Sequence, residues 1–148
     1  MGKSVRYFFS ETQKEDIRLA IKNAELDASG EIRVHVENSC EGDVMDRTAL
    51  LFEKLGMTRT KLRNGVLFYL AVDNRKFAVI GDKGINARVG DDFWEEIKMK
   101  MLYHFREGNF AQGLIEGIEM VGPKLRQFFP YQKDDVSELS DEISFGEK

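Results

Sequence analysis

Gly65-Val-Leu-Phe-Tyr-Leu-Ala-Val-Asp-Asn-Arg-Lys-Phe-Ala-Val-Ile-Gly81 is two strands and the turn between them. Residues 65–72 form a near-continuous apolar run, which suits a central strand covered on both faces. Asp73-Asn74 is a turn signal, and Lys76 to Gly81 leads the chain back, so the two runs predict a hairpin. A two-residue turn pairs 72 with 75 and 71 with 76, and this register carries down to 65 opposite 82.

Outward from the hairpin, helical and strand signals alternate. Ser10-Glu-Thr-Gln13 is a capping box: Ser10 accepts from the amide three residues on, while Gln13 reaches back. A helix therefore starts there, with Ile17, Ala20, Ile21, Ala24 and Ala28 at helical spacing, and Ser29-Gly30 ends it. Glu31-Ile-Arg-Val-His-Val-Glu37 alternates with period two and predicts a strand. A second amphipathic helix follows from about Asp43 to Leu55. A third starts near Asp91 or Asp92 with Phe93, Trp94, Ile97, Met101 and Phe105 on one face. A fourth follows Gly108-Asn109, carries Phe110, Leu114, Ile118, Val121 and Leu125, and stops before Pro130. Along it Gly113, Gly117 and Gly122 would let another element approach closely. This order predicts an α/β fold, a three-layer α/β/α sandwich with a small mixed central sheet. Strands 31–37 and 65–72, joined through a helix, should be parallel with a right-handed crossover.

The chain has 148 residues and a formal charge of −4. Residues 134–148 hold six acids against Lys148, which leaves about +1 on residues 1–133, read as a single domain, with an acidic, disordered or loosely docked tail. A body so balanced is no nucleic-acid footprint. The one cysteine, Cys40, excludes an internal disulfide framework and fits a reducing compartment; without a Cys-x-x-Cys it reads as structural rather than reactive. The longest apolar run is far short of the ~20 residues of a membrane span, and Val5 to Phe9 is too short for a signal-peptide core. The expectation is a cytoplasmic monomer with no membrane span and no nucleic-acid partner, its protein partner unspecified.

The hairpin register makes a functional prediction. Asp82 should lie beside Asn64 and Gly65 at one end of the sheet, and the parallel strand puts Glu31 at that same end. Only nine residues separate Asp82 from Asp92, so the third helix must start nearby. Glu31, Asn64, Asp82, Asp91 and Asp92 are thus expected at one rim. Carboxylates gathered in this way repel, and a divalent cation relieves them; calcium takes 6–8 oxygens from carboxylates, carbonyls and water. Gly81, Gly84 and Gly90 could turn loop carbonyls inward, and the lack of cysteine and histidine here argues against zinc or copper. The rival reading is pure helix capping, in which Asp91 or Asp92 with Glu95 favours the helix dipole and Asp82 bonds the loop backbone. Glu37, Asn38, Glu41, Asp43 and Asp46 make a second oxygen-rich loop at the opposite end, read as a solvated helix start. His35 and His104 show no evident partner and are read as structural. No G-x-S-x-G, H-E-x-x-H, P-loop or G-x-G-x-x-G occurs.

Gly30-Glu-Ile-Arg-Val34, Asn64-Gly-Val-Leu67, Ile80-Gly-Asp-Lys-Gly-Ile85, Val89-Gly-Asp-Asp-Phe-Trp94 and Glu107-Gly-Asn-Phe-x-x-Gly-Leu114 together resemble the TPM domain family, named for a thylakoid lumen protein, a photosystem II repair protein and a nematode receptor-associated membrane protein. The likeness runs from about Phe8 to Phe129. It implies an α/β/α sandwich with an acidic pocket at one sheet edge that holds divalent cations; a plant member is described as an acid phosphatase, and others assist membrane-complex repair or receptor regulation. Family members often carry Asp-Asp-Gly-Val where this chain has Arg63-Asn64-Gly65-Val66, an exchange that takes two negative charges out of that pocket. The chain as given lacks the signal peptide and anchor common in the family and looks like a bacterial stand-alone version. Three functions follow as expectations. One is a calcium- or magnesium-responsive binding or regulatory module, with Asp82, Asp91 and Asp92 as primary ligands and Glu31 and Asn64 as additional ones. Another is a metal-dependent phosphatase, with Lys83 or Arg88 as phosphoryl clamp. The last is a metal-independent interaction scaffold that works through residues 134–148.

Overall fold

The computed structural model describes residues 4–132 and 143–146. Its core is a four-stranded mixed sheet in the order β3-β2-β1-β4, with β1 at Glu31–Glu37, β2 at Gly65–Ala71, β3 at Lys76–Gly81 and β4 at Ser144–Gly146. Five helices surround it: α1 Glu11–Glu25, α2 Val44–Lys54, α3 Lys83–Asn86, α4 Asp91–Arg106 and α5 Phe110–Phe128.

The hairpin has the register its turn implied. Ala71 faces Lys76, Val66 faces Gly81, and the Asp82 amide donates to Gly65 O at 2.9 Å. The turn itself is longer than Asp73-Asn74. It takes in Val72 to Arg75, and Arg75 closes it in the left-handed region at φ 53°. A side chain there crowds its own backbone by roughly 1 kcal/mol, so Arg75→Gly, at an exposed site, should raise unfolding free energy by about 0.5 kcal/mol in a denaturant melt. A loss of stability would show that the Arg75 side chain does something the turn geometry does not reveal.

β1 and β2 are parallel, with Glu31 opposite Gly65 and Glu37 opposite Ala71. The period-two pleat of β2 then sorts two cores. Val66, Phe68 and Leu70 join Ile17, Ile21, Met101, Leu114, Ile118 and Leu125 from α1, α4 and α5. Leu67, Tyr69 and Ala71 pack with Leu51 and Phe52 of α2 and with Met57 in a 3-10 turn at Met57–Arg59. Helices thus cover both faces, and the sandwich has three layers. Alternation in β1 does not mark a solvated face, because Glu31, His35 and Glu37 are buried and Arg33 is half-buried.

The capping box is present, with Gln13 N to Ser10 Oγ at 3.1 Å and Ser10 N to Gln13 Oε1 at 3.0 Å. α1 stops at Glu25, before Ser29-Gly30, because Leu26 is extended and Asp27 is left-handed at φ 61°. Ala28, placed on the helix by its spacing, instead bridges Pro130. The α5 glycines are close-approach sites, as their spacing suggested. A Cβ on Gly117 would sit 2.9 Å from Phe68, and one on Gly122 would sit 3.1 Å from the Ala24 backbone of α1. α5 continues through Pro123.

Of the tail, residues 134–142 and 147–148 lie outside the described residues. Residues 144–146 are not loose. They add to β1 in parallel, His35 opposite Ser144 and Glu37 opposite Gly146, using an edge that would otherwise leave strand amides and carbonyls unpaired.

Candidate functional site

The N-terminal ends of β1 and β2 hold the rim that the register implied. Glu31, Asn64 and Asp82 are buried there, at 3%, 1% and 7% exposure. Glu31 and Gly65 are register partners, and Asp82 hydrogen-bonds Gly65. Asp91 and Asp92 occupy the first turn of α4 and are exposed. The Asn64 backbone amide donates to Thr60 Oγ1 at 3.2 Å, and the side-chain Nδ2 is buried without a protein partner.

What sits on Asp82 is a guanidinium. Arg63 Nε lies 2.6 Å from Oδ2 and Nη2 lies 2.9 Å from Oδ1, a planar two-point grip made from a residue whose own backbone is left-handed at φ 52°. Asp82 Oδ1 additionally accepts from Lys83 N at 2.7 Å and so caps α3. The segment expected as an open loop with inward carbonyls is instead folded. Ile85 is fully buried, Gly84 N donates to Arg63 O at 2.8 Å, and Asn86 Nδ2 donates to Gly81 O at 2.8 Å. Trp94 of α4 closes over it with Nε1 on Asn86 Oδ1 at 2.9 Å. Gly81 and Gly84 are there for contact: a Cβ on Gly81 would lie 2.6 Å from the Trp94 ring, and one on Gly84 2.1 Å from Leu62 O.

These groups as placed are not a ready-made divalent site. Among the described residues no three His, Cys, Asp or Glu side chains are gathered to hold a metal ion. Both Asp82 oxygens are engaged by Arg63, a cation supplied by the chain itself. Lys83 and Arg88, the candidate phosphoryl clamps, are exposed.

The opposite end of the sheet carries a denser network. Glu37, 4% exposed, closes β1 and is gripped by Arg47 of α2, Nε to Oε2 at 2.8 Å and Nη2 to Oε1 at 2.7 Å. Tyr69 of β2 donates its hydroxyl to Oε2, and His35 Nε2 lies 3.3 Å from Oε1. The other ring nitrogen of His35 is 2.7 Å from Ser144 Oγ in β4. Burial works to raise the Glu37 carboxyl, but the Arg47 and Tyr69 hydrogen bonds, the Arg47 charge and His35 outweigh it and hold the group at about 2. Burial, then Glu37, push the Tyr69 hydroxyl up; burial pushes His35 down, against a smaller upward pull from Glu37. An open cleft of about 310 Å³ lies beside this network, lined by Glu37, Asn38, Ser39, Cys40, Glu41, Arg47 and Gly146.

Glu37 is thus not part of a solvated helix start, and neither histidine is without a partner. Asp43 does cap α2, accepting from Met45 N at 2.8 Å, but Glu37 belongs to the interior. His104 meets Glu116 Oε2 at 2.7 Å. The available signal for the first network was a histidine and an acid, His35 and Glu37, on one face of a strand, with an arginine, Arg47, in the helix that follows.

A family model for the TPM domain matches residues 6–124. The chain belongs to the TPM domain family. Among solved structures, this TPM domain is similar to the BA42 protein of the psychrophilic bacterium Bizionia argentinensis, at 47% identity over 94% of this chain and 96% of that one, TM-score 0.87. It is also similar to the N-terminal domain of a P. gingivalis protein, at 25% identity over 84% and 82% of the two chains, TM-score 0.68. The N-terminal domain of a Corynebacterium glutamicum protein, 18% identical over 79% and 74%, TM-score 0.64, shares the fold. Among curated proteins none matches. Among the described residues no helix of this TPM domain is long and apolar enough to cross a membrane.

Proposed function

We propose that this TPM domain is a divalent-cation-responsive binding module, calcium before magnesium, in which the cation competes with Arg63 for Asp82. The observation that carries this reading is the pairing of a buried carboxylate with a side chain that is itself one-third exposed, 34% against 6%. An exposed guanidinium can swing into water at little cost, whereas Asp82 stays fixed as the cap of α3. Glu31 and the buried Asn64 amide stand at the same rim; turned by half a revolution, that amide offers Oδ1 where Nδ2 has no partner. Asp91 and Asp92 supply further oxygens from α4 only if the rim rearranges, so the cation-bound state differs in shape from the Arg63-bound one. Release of Arg63 frees the Thr60–Asn64 turn, and that change of surface is the signal a partner reads.

Phosphoryl transfer has less support, since it needs a positive clamp facing the ion and both proposed clamps are solvent-facing. Calorimetric titration with calcium and with magnesium tests the binding reading. Arg63→Gln, which removes the competitor, should tighten calcium binding at least about tenfold, a gain of about 1.4 kcal/mol. Asp82→Asn should abolish it. Turnover of a generic phosphomonoester that vanishes in Asp82→Asn would instead make the module an enzyme.

A further inference from the structure

β4 is a three-residue strand, and it and the preceding Ile143 each meet a distinct part of the fold. On the α1 face, Ile143 is 9% exposed and, with Phe145, forms one wall of a small cleft whose other wall is Glu11, Lys14, Glu15 and Arg18 of α1. The Phe145 ring lies under two cations, Arg6 at 5.4 Å and Lys14 at 5.6 Å. On the other face, the Ser144 hydroxyl meets His35 Nδ1 and Val34 O, at 2.7 and 3.3 Å. At Gly146 a Cβ would fall 2.6 Å from Glu37 Oε1, so the fourth position is cut to fit glycine.

The same edge of β1 is closed off further back. The Ile32 amide donates to the Glu25 carboxylate at 2.7 Å rather than to a strand, which confines strand addition to the last residues of β1. Strand addition draws affinity from main-chain bonds and specificity from alternate side-chain sockets, and both are present here. Yet the occupant is short, and Ser144, Phe145 and Gly146 all keep part of their surface in water. A segment received side chain by side chain, yet paired over only three residues, is suited to exchange.

We propose that the edge of β1 between α1 and the Glu37–Arg47 network is a groove for an extended peptide of a partner protein, with the pattern aliphatic, serine or threonine, aromatic, glycine, and that residues 143–146 of this chain occupy it in cis. The tail then sets a threshold: a partner strand binds only when it outcompetes a tethered one.

Gly146→Val in the full chain tests this, because the added side chain overlaps Glu37 and so expels the tail, while every residue of the groove itself is left unchanged. The probe is a fluorescent peptide of residues 141–147, Asp-Glu-Ile-Ser-Phe-Gly-Glu, read by polarisation against the variant and the unaltered chain. The variant should bind at least about tenfold more tightly, with the cis competitor removed, and a scrambled peptide should not bind. The peptide should move the amide resonances of His35, Val36 and Glu37. Equal affinity for both proteins, or none for either, overturns the proposal, as do His35–Glu37 resonances that Gly146→Val leaves in place. Should Gly146→Val fail to fold, Phe145→Ala weakens the cis strand by deletion alone and must show the same order of affinities. A dimer of the unaltered chain that either variant dissolves would replace the partner with a second copy and so overturn it too.

Discussion

Glu37→Ala is expected to lower unfolding free energy by about 3 kcal/mol and the melting temperature by about 10 °C, measured at neutral pH. The change strands the Tyr69 hydroxyl and the Nε2 side of His35 in the interior and leaves Arg47 without its two-point partner. Arg47 is 35% exposed and recovers some hydration, which keeps the loss at the lower end for a broken buried pair. The same network sets a pH dependence. Glu37 ionises at about 2 in the fold against an ordinary 4.5. Protons therefore bind the folded state more weakly than the unfolded one. The stabilisation is whole above about pH 4.5 and is lost progressively as pH falls toward 2, an effect of order 3 kcal/mol. Glu37→Gln keeps the shape and should erase that part of the acid limb; an unchanged acid limb would mean the carboxylate is not held as the geometry indicates.

Gly84→Ala should be nearly as damaging, by about 2–3 kcal/mol. A single methyl there would lie 2.1 Å from Leu62 O and 2.5 Å from Arg63 O, both main-chain atoms that cannot step aside. The insertion pushes α3 off the 62–63 turn, breaks the Gly84 N to Arg63 O bond and pulls Asp82 away from its guanidinium. Gly90, in the same segment, has open space around its Cβ position and caps α4 with no side chain. Gly90→Ser should therefore gain about 0.5 kcal/mol by supplying a cap. Thermal melts of the two variants should move in opposite directions; parallel losses would show that this segment needs glycine for its backbone and not for contact.

The frame of the molecule was legible because its signals are local. A seven-residue apolar run, a polar turn and a capping box each announce an element without reference to the rest of the chain, and the hairpin register then fixes which ends of the strands meet. That reasoning brought Glu31, Asn64 and Asp82 to one rim, where they lie. It could not show that Arg63 folds back onto Asp82, because the contact depends on a left-handed residue in an irregular turn, a conformation no spacing encodes. The same limit hid the Glu37 network, whose members come from β1, α2, β2 and β4. Ser144 was harder still. It belongs to a strand of three residues inside an acidic tail, and only the waiting edge of β1 makes it a strand.

The competition between calcium and Arg63 for Asp82 can be read residue by residue. Calcium added to the isotopically labelled chain should shift the amide resonances of Gly81 to Asp92 and of Arg63, saturably, and at lower calcium for Arg63→Gln than for the unaltered chain. Resonances that stay in place in both proteins at millimolar calcium would contradict it, and would leave the guanidinium as the permanent counter-ion of this rim.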